Sequence, residues 1–178
     1  MLNSRLAVVF SVLSLGGLSA CATTSSAGSA RSASGLPDFQ LNAVGGDTVR
    51  LSDHLAKKDV VVLAFWETWC EPCKAELPHL QRIYEANKDK GFVVLAISMD
   101  DPATAMQVAP YVNEVGFTFP VLLDPDGQAS GLYNTNKTAP YTVFIGRDGK
   151  IASETTGFEP AAAKVVQERI EKLIAAAP

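Results

Sequence analysis

The chain has 178 residues, of which 47% are hydrophobic and 19% are charged, proportions that suit one globular domain with a sizeable core. Its formal net charge is −4 and it has no cluster of lysines and arginines, which argues against a nucleic-acid partner.

The first twenty residues have the pattern of a secretion signal. Arg5 precedes an apolar run over residues 6–18, and small residues follow it. The run is shorter than the roughly 20 residues that span a bilayer. A short buried helix is the alternative, but the position at the N-terminus favours a signal peptide over residues 1–20.

The end of this run, Leu18-Ser19-Ala20-Cys21, resembles the lipobox of bacterial lipoproteins. The resemblance implies cleavage before Cys21 and lipid on its sulfur, and two or more acyl chains would anchor the protein stably to a membrane. Ala22 weakly favours the outer membrane, with the protein facing the periplasm. Residues 21–35 are small and polar and predict a flexible tether, so the domain spans residues 36–178.

The rest of the chain predicts alternating strands and helices. Apolar or alternating runs predict strands at 59–66, 92–98 and 119–124 and hairpins that turn near residues 45–47 and 148–149. Helical patterns cover 71–88, 102–116, 126–133 and 160–176. Pro110 predicts a kink or a break in the second of these helices. This order indicates an α/β sandwich with a mixed sheet.

Two cysteines lie where the strand at 59–66 meets the following helix. The N-terminus of a helix favours negative charge, so Cys70 should form a thiolate readily. Cys73 comes almost one turn later and should be covered by that turn. One exposed, activated sulfur with a shielded partner is what thiol–disulfide exchange requires.

Three other uses of the cysteine pair, and a peroxidase reaction, are less consistent with the sequence. A bridge across so small a loop removes little chain entropy, which disfavours a structural disulfide. A zinc site would need His54 or His79, and His79 faces the opposite side of the helix from Cys70. Copper binding by the pair stays open. Peroxiredoxins have Thr or Ser and Pro at the positions of Glu67 and Leu63, which disfavours a peroxidase.

The segments FWETWCEPCKAELPHL, VVLAISMDD, FPVLLD and APYTVFIGRDGKI together resemble the membrane-anchored, periplasmic thioredoxin-like family of the TlpA/ResA type. The match covers residues 37–177. It implies a thioredoxin-like sandwich with an N-terminal hairpin and an extra α–β unit at 102–124, a redox disulfide between Cys70 and Cys73, and no cofactor. It also implies a cis peptide bond between Ala139 and Pro140 that faces the disulfide and a bound peptide, with Trp69 on the contact surface.

Acidic residues near the pair raise the question of proton transfer. Ordinary thioredoxin buries an Asp six residues before its first cysteine, where this chain has Ala64. Glu76 is the predicted substitute, as a proton acceptor for Cys73 with a raised pKa, although a solvated Glu on the helix face is the alternative. The negative charge of Glu71 disfavours a thiolate at the neighbouring Cys70. Because a stabilised thiolate makes a strong oxidant, Glu71 favours a reducing pair. Glu67 could be a second titrating group, a recognition charge or an exposed loop residue.

We therefore predict a lipid-anchored thiol–disulfide oxidoreductase of the bacterial envelope that reduces protein disulfides as a monomer. The predicted partners are a disulfide-bearing client protein and a membrane thiol–disulfide electron donor, and no metal is expected. Cytochrome c maturation is one client class that the resemblance suggests. The alternatives are a disulfide oxidase or isomerase and, from another class, a copper-binding lipoprotein.

Overall fold

The computed structural model describes residues 35–177. The predicted signal peptide, Cys21 and all but the last residue of the predicted tether lie outside the described residues. Within the described range, no helix is both long and apolar enough to cross a membrane.

Seven strands form one mixed sheet in the order β2-β1-β5-β4-β3-β6-β7. The strands are β1 (Gln40–Ala43), β2 (Thr48–Arg50), β3 (Val60–Trp66), β4 (Phe92–Ser98), β5 (Val121–Leu123), β6 (Tyr141–Ile145) and β7 (Ile151–Thr156). Strands β3, β4 and β5 are parallel, and the other neighbouring pairs are antiparallel. The mixed sheet that the strand and helix pattern predicts is confirmed.

Helices cover both faces of the sheet. They are α1 (Leu51–Ala56), α2 (Glu71–Asn87), α3 (Val108–Val115), α4 (Ser130–Tyr133) and α5 (Ala163–Ala175). Alternate residues of β3 point to opposite faces, so one set packs with α2, α3 and α5 and the other with α1 and α4. Strands β3 and β4 are buried along their whole length, which is why they are continuous apolar runs in the sequence.

The second strand of the N-terminal hairpin is shorter than the sequence pattern suggests. The alternating pattern after the turn extends to His54 and predicts a strand over that length, but β2 ends at Arg50 and α1 follows. Leu51 and Leu55 are four residues apart and both are buried, which is helical spacing. The Asp38 carboxylate accepts a hydrogen bond from the Ser52 backbone N–H at 2.9 Å and so supports the helix start.

The helix predicted at 102–116 starts only at Val108, and it is not broken at Pro110. A turn of 3₁₀ helix, Ala105–Gln107, precedes α3, and Pro110 is the third residue of α3. The first four N–H groups of a helix have no partner within it, so a proline costs nothing there. Strand β5 then pairs with β4 on one side and β1 on the other, so this extra α–β unit joins the N-terminal hairpin to the sheet.

Of the helix predicted at 126–133, only the second half is helical, as α4 (Ser130–Tyr133). The Asp124 carboxylate is buried, and it accepts hydrogen bonds from the backbone N–H groups of Ala129 and Ser130 at 3.0 and 2.8 Å. Gly127 has φ +71, which is the left-handed region that glycine adopts most easily. The residues before Ser130 therefore form a turn that Asp124 stabilises.

Candidate functional site: the disulfide at the start of helix α2

A disulfide joins the residue that caps α2 to the first turn of that helix. The sulfurs of Cys70 and Cys73 are bonded at 2.06 Å, and the two Cα atoms are 5.3 Å apart. Cys70 is the residue that caps α2, and its sulfur accepts a hydrogen bond from the Cys73 backbone N–H at 3.3 Å. A thiolate at Cys70 would thus be stabilised by the free N–H groups and the dipole of a 17-residue helix.

Cys70 is more accessible than Cys73, as predicted, but the difference is small. Cys70 is 4% exposed and Cys73 is fully buried, so the oxidised pair is almost covered. The neighbouring Trp69 is 65% exposed, which is unusual for so large an apolar side chain. The most accessible apolar surface beside the disulfide is therefore the Trp69 ring.

The peptide bond between Ala139 and Pro140 is cis. It immediately precedes β6, the antiparallel neighbour of β3. Pro140 is buried, and Ala139 packs against the apolar cluster that contains both cysteines. The contact of these two residues with a bound peptide stays a prediction.

Glu76 is buried in the second turn of α2, with 3% of its surface exposed. Its Oε1 atom accepts a hydrogen bond of 2.8 Å from the Thr142 hydroxyl. Burial raises the pKa of Glu76 to about 7, and the bond from Thr142 offsets part of that rise. The alternative of a solvated glutamate on the helix surface is therefore wrong for this side chain.

The partner of Glu76 lies beside the position where ordinary thioredoxin carries its buried Asp. Thr142 of β6 pairs with Ala64 of β3 across the sheet. Side chains of paired residues point to the same face and lie roughly 5 Å apart. Ala64 leaves this region of the core without a carboxylate from β3. The Glu76 carboxyl reaches the same region from helix α2. The sequence signal for Thr142 was a hydroxyl residue inside the apolar run of β6.

A second buried carboxylate, Asp100, holds the loop before the disulfide. It is 2% exposed and accepts hydrogen bonds from the Thr68 N–H at 3.0 Å, the Thr68 hydroxyl at 2.5 Å and the Ser98 hydroxyl at 2.9 Å. Sequence reasoning did not single out these three residues. The available signal was their position, because the carboxyl ends of the parallel strands β3 and β4 meet at one edge of the sheet.

Glu67 lies between these groups and is only partly buried. Burial raises its pKa, the negative charges of Asp100 and Asp101 raise it further, and Lys137 opposes them. Its carbonyl oxygen accepts a hydrogen bond of 3.0 Å from the Cys70 N–H, which closes a turn. Of the three interpretations of Glu67, the simple exposed loop residue fits least well.

Lys74 partly compensates the negative charge that Glu71 places beside Cys70. Lys74 donates a hydrogen bond of 2.9 Å to the Glu71 carboxylate, and the Glu71 side chain is well exposed. Exposed ion pairs contribute little stability, but this one lowers the repulsion that Glu71 would exert on a Cys70 thiolate. The argument from Glu71 for reducing behaviour is correspondingly weaker.

Both histidines have partners away from the disulfide. His79 donates from Nε2 to the Ala163 carbonyl oxygen at 2.8 Å, and so connects α2 to α5. His54 lies 3.0 Å from a carboxylate oxygen of Asp59. Among residues 35–177, no group of three or more His, Cys, Asp or Glu side chains is arranged to hold a metal ion.

The model of one protein family matches residues 33–154, and it is described as the AhpC/TSA family. The chain belongs to the AhpC/TSA family. The sequence pattern of peroxiredoxins is absent from this chain. Glu67 stands where peroxiredoxins have Thr or Ser, and Leu63 stands where they have Pro.

Relatives in this family carry names that match the chemistry of the pair. The thiol-disulfide oxidoreductase ResA of Oceanobacillus iheyensis is 40% identical over 125 residues, and the match covers 68% of this chain. The chain spans 62% of that relative's length, slightly less than two thirds. This similarity confirms the resemblance to the TlpA/ResA type.

Solved structures confirm the thioredoxin-like fold. A candidate thiol:disulfide interchange protein DsbE from Chlorobium tepidum superposes with a TM-score of 0.70 and 34% identity, covering 78% of this chain and 94% of that one. An exposed lipoprotein thioredoxin from Streptococcus pneumoniae gives a TM-score of 0.64 and 29% identity, covering 76% and 99%. The N-terminal hairpin and the unit at 102–124 belong to the sheet of this fold.

Proposed function

We propose that this protein is a thiol–disulfide oxidoreductase of the bacterial envelope that reduces disulfides in client proteins. The observation that carries the proposal is the Cys70–Cys73 disulfide at the N-terminus of α2, with the buried carboxyl of Glu76 one turn further on. A structural staple would need no such carboxyl, and a metal site would need ligands that the surrounding residues do not supply.

The reaction begins from the reduced pair. The Cys70 thiolate attacks one sulfur of the client disulfide, forming a mixed disulfide and releasing the other client sulfur as a thiolate. Cys73 then loses its proton, and its thiolate attacks the Cys70 sulfur. The second client thiolate leaves, so two electrons pass to the client and the Cys70–Cys73 disulfide forms.

Glu76 is the group we assign to take the proton from Cys73. A carboxyl with a pKa of about 7 is half ionised near neutral pH, so it can accept a proton and later release it. It lies three residues after Cys73 on the same helix. The hydrogen bond from Thr142 holds the carboxyl in place as its charge changes.

Client contact is assigned to the surface around the disulfide. Trp69 offers the exposed apolar ring, and the resemblance to the TlpA/ResA type assigns the backbone at Ala139 to contact with an extended peptide. A client backbone there could bond to the Ala139 peptide group while its disulfide meets Cys70. Cytochrome c maturation would supply such clients.

The location and the electron supply complete the proposal. Lipid on Cys21 would anchor the monomeric protein in the envelope, and the likeness to an exposed lipoprotein thioredoxin supports this. The envelope is an oxidising compartment, so a reductase there needs a membrane thiol–disulfide donor to reduce its disulfide again. The weak preference for the outer membrane rests on Ala22 alone.

Trapping tests the assignment of roles. The Cys73→Ser variant should accumulate client proteins as mixed disulfides on Cys70, because nothing then displaces them. The Cys70→Ser variant is the matched control and should trap far fewer. Tight copper binding with no trapped client and no disulfide reduction would favour the copper-binding lipoprotein instead.

The direction of electron flow is tested by the reduction potential of the Cys70–Cys73 couple. Reductases of this chemistry have potentials near that of thioredoxin, about −270 mV, whereas a strong oxidase is near about −120 mV. We expect a value toward the thioredoxin end of that range. A value near the oxidase end would assign the protein to disulfide formation.

A further inference from the structure

The buried carboxylate of Asp100 connects the end of β4 to the turn that carries Cys70. Two of its three hydrogen-bond donors belong to Thr68, which lies two residues before Cys70. The third is the hydroxyl of Ser98, the last residue of β4. The carboxylate therefore links two chain segments that are 32 residues apart in the sequence.

Burying a carboxylate away from water costs free energy unless hydrogen bonds or a cation compensate it. Among the described residues, Asp100 forms no salt bridge, so its compensation comes from the three donor groups. An apolar residue could fill this place without that cost. The arrangement thus fixes the Thr68 backbone more specifically than packing alone would.

The turn from Glu67 to Cys70 is held at both ends. Before the turn, the Met99 N–H bonds to the Trp66 carbonyl oxygen at 2.9 Å, which extends the β3–β4 ladder. Within it, Asp100 holds both the N–H and the hydroxyl of Thr68, and the Cys70 N–H closes the turn on Glu67. The start of α2, and with it the Cys70 sulfur, is thereby fixed relative to the sheet.

We propose that Asp100 is a positioning residue for the attacking sulfur: through Thr68 it holds Cys70 at the helix N-terminus in the geometry that thiol–disulfide exchange needs. This proposal rests on the proposed function. Asp100 is too deeply buried to touch a client, so its effect passes entirely through the turn. Loss of the link should lower the turnover rate and leave client binding nearly unchanged.

Asp124 provides a matched control. It is a carboxylate of the same size, 3% exposed, and it follows β5 as Asp100 follows β4. Its carboxylate accepts hydrogen bonds from the N–H groups of Ala129 and Ser130, which do not belong to the turn that carries Cys70, and its own backbone bond to Ser98 does not depend on the side chain. Asp124→Ala should cost stability as Asp100→Ala does, without acting on the cysteine.

The experiment compares Asp100→Ala, Asp100→Asn and Asp124→Ala in the full-length chain. The first readout is the pH profile of Cys70 alkylation by iodoacetamide in a Cys73→Ser background, followed by mass spectrometry of the peptide that contains Cys70. The second is kcat and KM for reduction of a disulfide-bearing protein in the background that keeps both cysteines. Alkylation needs no client, so it tests the positioning role even if the proposed reductase function fails.

We expect Asp100→Ala to move the midpoint of the alkylation profile and to lower kcat about tenfold or more, with KM nearly unchanged. Asp100→Asn, which keeps an oxygen acceptor for Thr68, should recover most of kcat. Asp124→Ala should leave the profile at its wild-type midpoint. The proposal is overturned if Asp100→Ala leaves the profile unchanged, or if Asp124→Ala shifts it as much.

Discussion

Two buried carboxyl groups bond to chain segments around the disulfide, and the number of donors that each receives is different. Glu76 and Asp100 are 3% and 2% exposed, so burial does not distinguish them. Glu76 receives a hydrogen bond from one hydroxyl, that of Thr142, whereas Asp100 receives hydrogen bonds from three donor groups. The number of donors at each carboxyl, rather than its depth, separates a group suited to proton transfer from one suited to fixing the backbone.

The physical reason is the balance between desolvation and hydrogen bonding. Burial disfavours the charged form of a carboxyl, and each donor hydrogen bond favours it. One hydroxyl does not offset the burial of Glu76, so its pKa rises to about 7. At Asp100 both oxygens accept hydrogen bonds, and these bonds connect Ser98 of β4 to Thr68 in the loop before Cys70.

The largest expected effect is on stability in Asp100→Ala. The substitution leaves the buried N–H and hydroxyl of Thr68 and the hydroxyl of Ser98 without their acceptor. We expect the free energy of unfolding at pH 7 to fall by on the order of 3 kcal/mol, measured by urea denaturation of the oxidised protein. A loss below about 1 kcal/mol would mean that water replaces the carboxylate and that the two carboxyls differ less than the structure indicates.

Glu76→Gln should increase the free energy of unfolding at high pH, whereas Asp100→Ala should decrease it. The folded-state pKa of Glu76, about 7, lies above its ordinary value of 4.5, so the folded state binds the proton more tightly. The wild type therefore loses stability as the pH rises through this window. At pH 8 we expect the variant to be more stable than the wild type by on the order of 2 kcal/mol, with little difference at pH 4. Equal effects at both pH values would contradict the raised pKa.

Thr142→Val removes the hydroxyl that bonds to Glu76 and should have a smaller effect. The hydroxyl favours the charged carboxylate, so its loss should raise the pKa of Glu76 further. We expect about 1 kcal/mol lower stability at pH 8 and an upward shift of the Glu76 titration in carbon-13 NMR. A downward shift would show that another donor had taken the place of Thr142.

Trp69→Ala gives the smallest expected change in stability. Because the ring is 65% exposed, its removal should change the free energy of unfolding by no more than about 0.5 kcal/mol. The same variant should raise KM for a protein client, since the ring is assigned to client contact. An unchanged KM would remove Trp69 from the contact surface and leave the buried carboxyls unaffected.

Much of the fold follows from local sequence patterns. The continuous apolar runs of β3 and β4 predict buried strands, because only strands covered on both faces lack polar residues. Where α1 forms, the alternating pattern predicts a strand instead, and the hydrogen bond from the Ser52 N–H to Asp38 favours the helix start. That contact joins residues 14 apart, which no short window reveals.

At the site, the reactive pair was predictable and its supporting residues were not. The CxxC spacing and the strand-to-helix junction indicate Cys70 and Cys73 without any structure. Thr142 lies 66 residues after Glu76, and Asp100 lies 32 after Thr68. Their contacts depend on the order of the strands in the sheet.

The sequence by itself thus determined the chemistry available to the protein: two cysteines at a helix N-terminus, within an alternating pattern of strands and helices. Only the tertiary structure decided how two nearby carboxyl groups are used. The role open to a buried carboxyl depends on the donors that reach it, and those donors come from strands β4 and β6 and the loop after β3, which meet only in the folded chain.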